Sequence, residues 1–328
     1  MFAAMIALDL PSRLAELPHR LHRRGHAAAL SWNVTAHDRA RVRIAWPSRY
    51  EWTPAAGITE TLRAALARQH VLEIQSTPQT WRGSIMLECV VDDRPQRVVL
   101  DYSDRAEFIN QDALARCSLY IKLQFRADGY ADPRIIRGGY VASGLHYYRY
   151  YRALRQRSRR GRTIDVFGRF GYQFEGDLRR RAADMLSRAP DLHFVGTGER
   201  VRYSRFLREA ASARLCLGLP GNGPFTYRVA EFLGLGCCML APRYPTSMHV
   251  PLEPGVHYVA IARDMSDLLD VCRYYLAHDD ARERIACAGR DFFDRYLHCE
   301  QIASYYLRTM LDRFGTTKES EASGSSVA

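Results

Sequence analysis

Residues 215–242, LCLGLPGNGPFTYRVAEFLGLGCCMLAP, hold the residue types that could grip a phosphorylated ligand. An apolar run ends in PGNGP, a helical pattern follows, and Gly236 closes it before a second apolar run. Glycines in such a loop let backbone N–H groups approach an anion, and a helix that starts there aims its positive end at the same point. Arg228 and Glu231 stand three apart, hence on one face of that helix. An arginine in this place can hold a diphosphate while a carboxylate accepts hydrogen bonds from ribose hydroxyls. The plain alternative is an ordinary turn with a surface ion pair of little energetic weight.

The elements that must position these residues read as a βα alternation. Strands are expected at 163–167, 192–195, 215–219, 237–241 and 258–261, and helices at 176–187, 203–213, 226–235, 265–277, 281–296 and 300–314. Strands alternating with helices of this length predict a doubly wound parallel sheet, with ligands beyond the carboxyl ends of its strands. The N-terminal half is less regular. After a weak helical stretch at 10–24, a strand at 41–45, a helix at 58–69 and a strand at 71–75 suggest a βαβ unit. Residues 86–91 and 97–102 flank Asp92-Asp93-Arg94-Pro95 as a β-hairpin; 106–116 reads as helix, 119–125 as extended chain and 138–144 as a loop.

The chain has 328 residues, enough for two ordinary cores, and 47% hydrophobic against 25% charged residues is a globular balance. No apolar run is long enough to span a membrane, and Asp9 and Pro11 break the start where a signal peptide needs unbroken apolar chain, so a cytoplasmic protein is expected. The eight cysteines lack C-x-x-C spacing and read as reduced core thiols. The net charge is +11, and of 47 basic residues all but Lys122 and Lys318 are arginine. Arginine suits bidentate contact with phosphate, and a basic surface favours anionic partners.

On these motifs a resemblance becomes specific. DVFGR at 165–169, LHFVG at 192–196, YSRFLREAASARLCL at 203–217 and RVAEFLGLG at 228–236 follow in the order of the donor half of GT-B glycosyltransferases. The sequence most resembles the CgeB-like (spore-maturation) and exostosin-like branches, and the glycosyltransferase group 1 family more broadly. PGVHYVAI at 254–261 and the helical stretch to Leu297 are similar too, so the likeness covers residues 162–297. The resemblance implies an α/β fold of two Rossmann-like domains facing a cleft. Residues 1–150 would form the acceptor-side domain, 151–162 a basic linker and 163–297 the nucleotide-sugar-binding domain; 298–315 would be a helix packing back on the first domain and 316–328 a disordered tail.

It also implies transfer of a sugar from a UDP- or GDP-sugar to a hydroxyl acceptor, a glycan or lipid-linked molecule of polysaccharide biosynthesis, with no metal and no cofactor. Glu231 falls at the ribose-binding position and Gly168 with Arg169 at the first loop facing the phosphates. Gly196 and Thr197 border the base, and Asn222, Gly223 and Pro224 the diphosphate or sugar. The sequence departs from the E-x7-E motif of retaining members, because position 223 is glycine. Retention or inversion therefore stays open.

An inverting transfer needs a general base from the N-terminal half. Asp101, Asp104 and His146 are the candidates, with Asp128 beside them; the two aspartates could equally cap the following helix, and His146 could be a plain packed histidine. Tyr147, Tyr148, Tyr150 and Tyr151 alternate with arginine and read first as the packing face of an amphipathic helix, second as a platform for sugar, nucleic acid or an anionic membrane at the inner face of which the protein could sit. The alternatives in function are nucleic-acid engagement, including glycosylation of DNA bases, and a degenerate GT-B scaffold without turnover.

Overall fold

A computed structural model describes residues 30–51, 56–69, 72–75, 80–158, 161–196 and 199–316. The helix expected at 10–24 and the tail beyond Thr316 lie outside these residues. The fold is α/β, with two sheet-centred halves facing a cleft.

The N-terminal half contains α1 (Ala36–Ala40), β1 (Val42–Pro47), α2 (Ala56–Ala67), β2 (Leu72–Gln75), β3 (Thr80–Trp81) and β4 (Ser84–Val91). It continues through β5 (Arg94–Asp101), α3 (Gln111–Arg116), β6 (Leu119–Lys122), β7 (Phe125–Arg126) and β8 (Ile135–Arg137). Its sheet runs β2-β1-β4-β5-β6-β8, with β3 attached to β4. The expected βαβ unit is β1–α2–β2, a parallel pair, and a parallel run β5-β6-β8 stands on the other side of the antiparallel β4. The hairpin is tighter than the sequence suggests. Asp92 and Asp93 alone make the turn, with φ of 48° and 60°, the left-handed pair a two-residue hairpin requires. Pro95 consequently lies inside β5, opposite Val90. Helix α3 is shorter than the expected 106–116, because the Asn110 side chain accepts from the Ala113 N–H and caps the helix there.

The C-terminal half follows with α4 (Leu145–Ser158), β9 (Ile164–Phe167), α5 (Gly176–Ser187), β10 (Phe194–Val195), α6 (Tyr203–Ala211), β11 (Ala213–Leu217) and α7 (Tyr227–Leu235). Then come β12 (Cys238–Pro242), β13 (Thr246–Ser247), β14 (Val259–Ile261), α8 (Leu268–Ala277), α9 (Asp279–Phe292), a π-helical turn (Phe293–Leu297) and α10 (Cys299–Phe314). The sheet β10-β9-β11-β12-β14 is parallel throughout, as the alternation predicts. The loops that follow β9, β10 and β11 therefore open on one edge.

Helix α4 carries the stretch expected as a linker as far as Ser158. Its spacing places Tyr147, Tyr148 and Tyr151 on one buried face, with the Tyr147 and Tyr151 rings stacked 5.5 Å apart, while Tyr150 points to solvent. The tyrosine run is thus a packing face. Helix α10 returns to the first half and packs on α2; its Ile302 sits so close to Gly139 that a Cβ there would lie 2.1 Å away. One apolar core runs from Ile44 and Leu87 to Leu307 and Met310. Seven of the eight cysteines are buried free thiols, Cys287 being the exposed one. Among the described residues no helix is long and apolar enough to cross a membrane.

Candidate functional site

Between the halves lies a cavity of about 1130 Å³. Its C-terminal wall is made by the loops after β9 and β11 and by residues 199–203 before α6; its N-terminal wall includes Ile58, Tyr102, Asp104 and Tyr140. Arg82, Arg105, Arg169, Arg179, Arg200 and Arg228 line it, against the carboxylates of Asp104 and Glu199. A concave surface so biased in sign concentrates anions. Phe174 and Tyr227, 42% and 37% exposed, add aromatic faces to the same lining.

Arg179 on α5 is the structural centre of that wall. It is 4% exposed and donates through Nε to the Pro220 carbonyl (2.9 Å) and through Nη1 to the Gly171 carbonyl (2.6 Å), tying the two loops together. Burial, and then repulsion from Arg228, push its pKa down to about 10. A cation held at such a disadvantage is stabilised by any anion that enters. Arg228, in the first turn of α7, lies 5.8 Å from the Phe206 ring and 5.3 Å from the Tyr227 ring. Its Nε is buried and lacks a hydrogen-bond partner among the described residues, as does the Thr226 hydroxyl beside it. Arg169, expected to face phosphates, does line the cavity, but its Nε is bound to Glu209 at 2.5 Å.

Gly221, Asn222 and Gly223 of the Gly-rich loop line the cavity, while part of the loop's backbone is engaged within the protein. The Gly221 N–H donates to the Gly223 carbonyl (3.0 Å), and the Phe225 N–H to Gln124 Oε1 (3.2 Å). Gln124, fully buried on the other half, returns a bond from Nε2 to the Phe225 carbonyl at 2.8 Å. A Cβ at Gly223 would lie 2.5 Å from the Asp104 carbonyl oxygen and 2.6 Å from Gln124 Nε2. This glycine is therefore demanded by the seam between the halves, which is the physical reason no acidic side chain can stand there. Asn222 donates to Asp104 Oδ2 at 3.1 Å across the same seam, and Pro224 faces a smaller neighbouring cavity.

Gly168 and Gly196, at the ends of β9 and β10, are positions where packing demands glycine. A Cβ at Gly196 would sit 2.3 Å from the Phe194 ring and 2.4 Å from the Gly168 carbonyl, and one at Gly168 would meet Phe170 at 3.0 Å. Thr197 lies outside the described residues.

Glu231 is fully buried rather than presented to the cavity. Its Oε1 accepts from Tyr203 Oη (2.5 Å) and from Ser143 Oγ (2.8 Å), while Oε2 has no partner among the described residues. Burial raises its pKa above the ordinary carboxylate range, with the Tyr203 and Ser143 hydrogen bonds opposing. Tyr203, not Glu231, lines the cavity, so the carboxyl acts here through the tyrosine it anchors.

The four candidate bases separate cleanly. Asp101 is 1% exposed, and its oxygens accept from Tyr120 Oη (2.5 Å), Lys122 Nζ (3.0 Å), the Ser103 N–H (2.8 Å) and Ser103 Oγ (2.5 Å). It is a structural anchor rather than a base. His146 is exposed in the first turn of α4 and does not line the cavity. Asp128 is paired with Arg126 on the outer side of the seam. Asp104 alone lines the cavity, and burial raises its pKa, opposed by the Asn222 hydrogen bond and the nearby Lys122 charge. Among the described residues no three His, Cys, Asp or Glu side chains gather as a metal site.

Residues 149–308 match the family described as glycosyl transferase-like. The C-terminal half carries a glycosyl transferase-like domain. That domain supplies Arg169, Arg179, Arg200, Arg228 and Tyr203 to the cavity. Over 55 residues the chain is 36% identical to protein O-glucosyltransferase 2 of Danio rerio, a match covering 17% of this chain and 11% of that relative. Among solved structures it is similar to Anabaena HepE in complex with UDP and glucose, with TM-score 0.41 and 14% identity over 65% of this chain and 70% of that one. It is similar also to the pneumococcal O-GlcNAc transferase GtfA in complex with UDP and GlcNAc, with TM-score 0.41 and 9% identity over 77% and 55% of the two chains.

Sequence reasoning singled out Arg228 and Asp104 but missed Arg179, Tyr203 and Gln124. The segment around Tyr203 was already part of the glycosyl transferase-like pattern. Nothing local in FEGDLRRRAAD distinguishes Arg179 from its two neighbouring arginines; only the fold turns it inward.

Proposed function

We propose that the protein is a glycosyltransferase that moves a sugar from a nucleoside diphosphate sugar to a hydroxyl acceptor. The observation that carries this reading is the arginine-lined cavity at the carboxyl edge of the parallel sheet of a glycosyl transferase-like domain. Arg228, with an unpartnered buried Nε, and Arg179 receive the diphosphate, and Tyr227 or Phe174 offers a ring to the base. The acceptor oxygen attacks the anomeric carbon while its proton passes to the Asp104 carboxylate. The bond from sugar to diphosphate breaks with its electron pair on the phosphate oxygen, and the guanidinium groups stabilise that charge. The acceptor is a glycan or lipid-linked saccharide, and the arginines do the work a metal would otherwise do.

The test is thermal unfolding with UDP and GDP. One of them raises the melting temperature of the wild type, and Arg228→Ala weakens its binding by about 10- to 100-fold, the range of a lost charge-assisted hydrogen bond. A wild type that responds to neither nucleotide refutes the reading.

A further inference from the structure

A second cavity of about 550 Å³ lies on the other side of the Asp104–Asn222 hydrogen bond. Asp104, Arg105 and Asn222 line both cavities, so the two adjoin along that pair. The chemistry on the two sides differs. The large cavity sets six guanidinium groups against two carboxylates, whereas the small one sets Arg105 and Arg126 against Asp104, Glu107 and Asp128. Arg126 and Asp128 are already paired, with Nε to Oδ1 at 2.9 Å. A diphosphate therefore has no electrostatic reason to enter the small cavity.

Its lining instead offers carboxylate acceptors, guanidinium and amide donors, and the rings of Pro224 and Pro245. Donors and acceptors together with proline rings suit an uncharged ligand rich in hydroxyls. An independent sign comes from Thr246 of β13. It is 6% exposed, it lines this cavity, and its hydroxyl is buried without a partner among the described residues. A buried hydroxyl so placed is satisfied when a ligand hydroxyl reaches it.

We propose that the small cavity is the acceptor site, that it takes a neutral saccharide, and that the saccharide presents a hydroxyl to Asp104 from the side opposite the nucleotide. The inference rests on the glycosyl-transfer reading and fixes the direction from which the acceptor arrives. That hydroxyl reaches past Asp104 into the large cavity, where its oxygen bonds the anomeric carbon of the donor sugar as Asp104 takes its proton and the nucleoside diphosphate leaves.

The experiment is a saturation-transfer NMR titration of the full chain, saturated with whichever of UDP and GDP raises its melting temperature, using cellobiose as the neutral probe and glucose 6-phosphate as the charged one. Cellobiose binds the wild type more tightly than glucose 6-phosphate. Asp128→Ala, an exposed change, and Thr246→Val, which keeps the side-chain shape, each weaken cellobiose by about 5- to 10-fold, a hydrogen bond's worth. Arg82→Ala, in the large cavity, leaves it within about twofold, a change below half a kcal/mol. The nucleotide shift persists in Asp128→Ala and Thr246→Val. Cellobiose binding lost in Arg82→Ala and unchanged in the other two overturns the placement, tighter binding of glucose 6-phosphate overturns the ligand class, and no cellobiose binding overturns both. A wild type without any nucleotide shift refutes the glycosyl-transfer reading itself.

Discussion

The C-terminal wall of the cleft presents its arginines from loops and helix starts around one parallel sheet, whereas the N-terminal wall presents Asp104 from a loop held by buried ions. On the first wall Arg179 ties the Gly171 and Pro220 loops and Glu231 anchors Tyr203 from below. On the second, the Asp101 carboxylate gathers Tyr120, Lys122 and Ser103 and so fixes residues 102–105. Fully buried ion pairs are costly to break from one side. The contrast teaches that the C-terminal wall gathers most of the cavity's guanidinium groups, whereas the N-terminal wall, which adds Arg82 and Arg105, rests its one carboxylate on a buried ion pair.

The sharpest way to break this contrast is Asp104→Asn. Transfer, or donor hydrolysis where water replaces the acceptor, should fall by about 100- to 10,000-fold, the usual contribution of a positioned base. The nucleotide-induced melting shift should survive. A loss of both would mean that the two walls share one task. Next in size is Gly223→Ala, which drives a methyl to within 2.5 Å of the Asp104 carbonyl. It should cost about 1–3 kcal/mol in denaturant unfolding, as overpacking does. A neutral effect would show that the seam is loose.

The smallest effect sharpens the role of Glu231. Burial raises its native pKa above 4.5, so the folded chain holds the proton more tightly than the unfolded one. The resulting stability is complete below the unfolded pKa and is lost as pH rises through the native pKa. Glu231→Gln cannot ionise, so its melting temperature should gain on the wild type as pH climbs from about 5 to 8. Asp104, also raised by burial, acts with the same sign in both chains and cancels from the difference. Parallel melting profiles would show that Glu231 is not strained by its burial.

The sequence made the C-terminal sheet readable because every strand there is short, apolar and bounded by a helix of regular period. Helix α5 was anticipated to the residue, and α7 to within one. The hairpin in the N-terminal half is legible, but its turn is shorter than Asp92–Pro95 because Asp92 and Asp93 both take positive φ, which is rare for two consecutive aspartates and leaves Pro95 inside β5. At the site, Arg228 was legible from its helix position. The closeness of Gly223 to Asp104, 119 residues apart in the chain, was not, because no local pattern encodes it. The glycine lines the cavity and is at the same time a point of contact between the halves.

Helix α10 has a consequence for how the protein is made. Its buried Ile302, Tyr306 and Met310 belong to the same core as Ile44 and Leu87, and it lies across α2. About 180 residues separate β8, the last strand of the first half, from the end of that helix. At ribosomal speed the first half therefore waits on the order of 10–40 s with the apolar face of α2 uncovered. Over that interval the uncovered face of α2 is apolar surface open to aggregation.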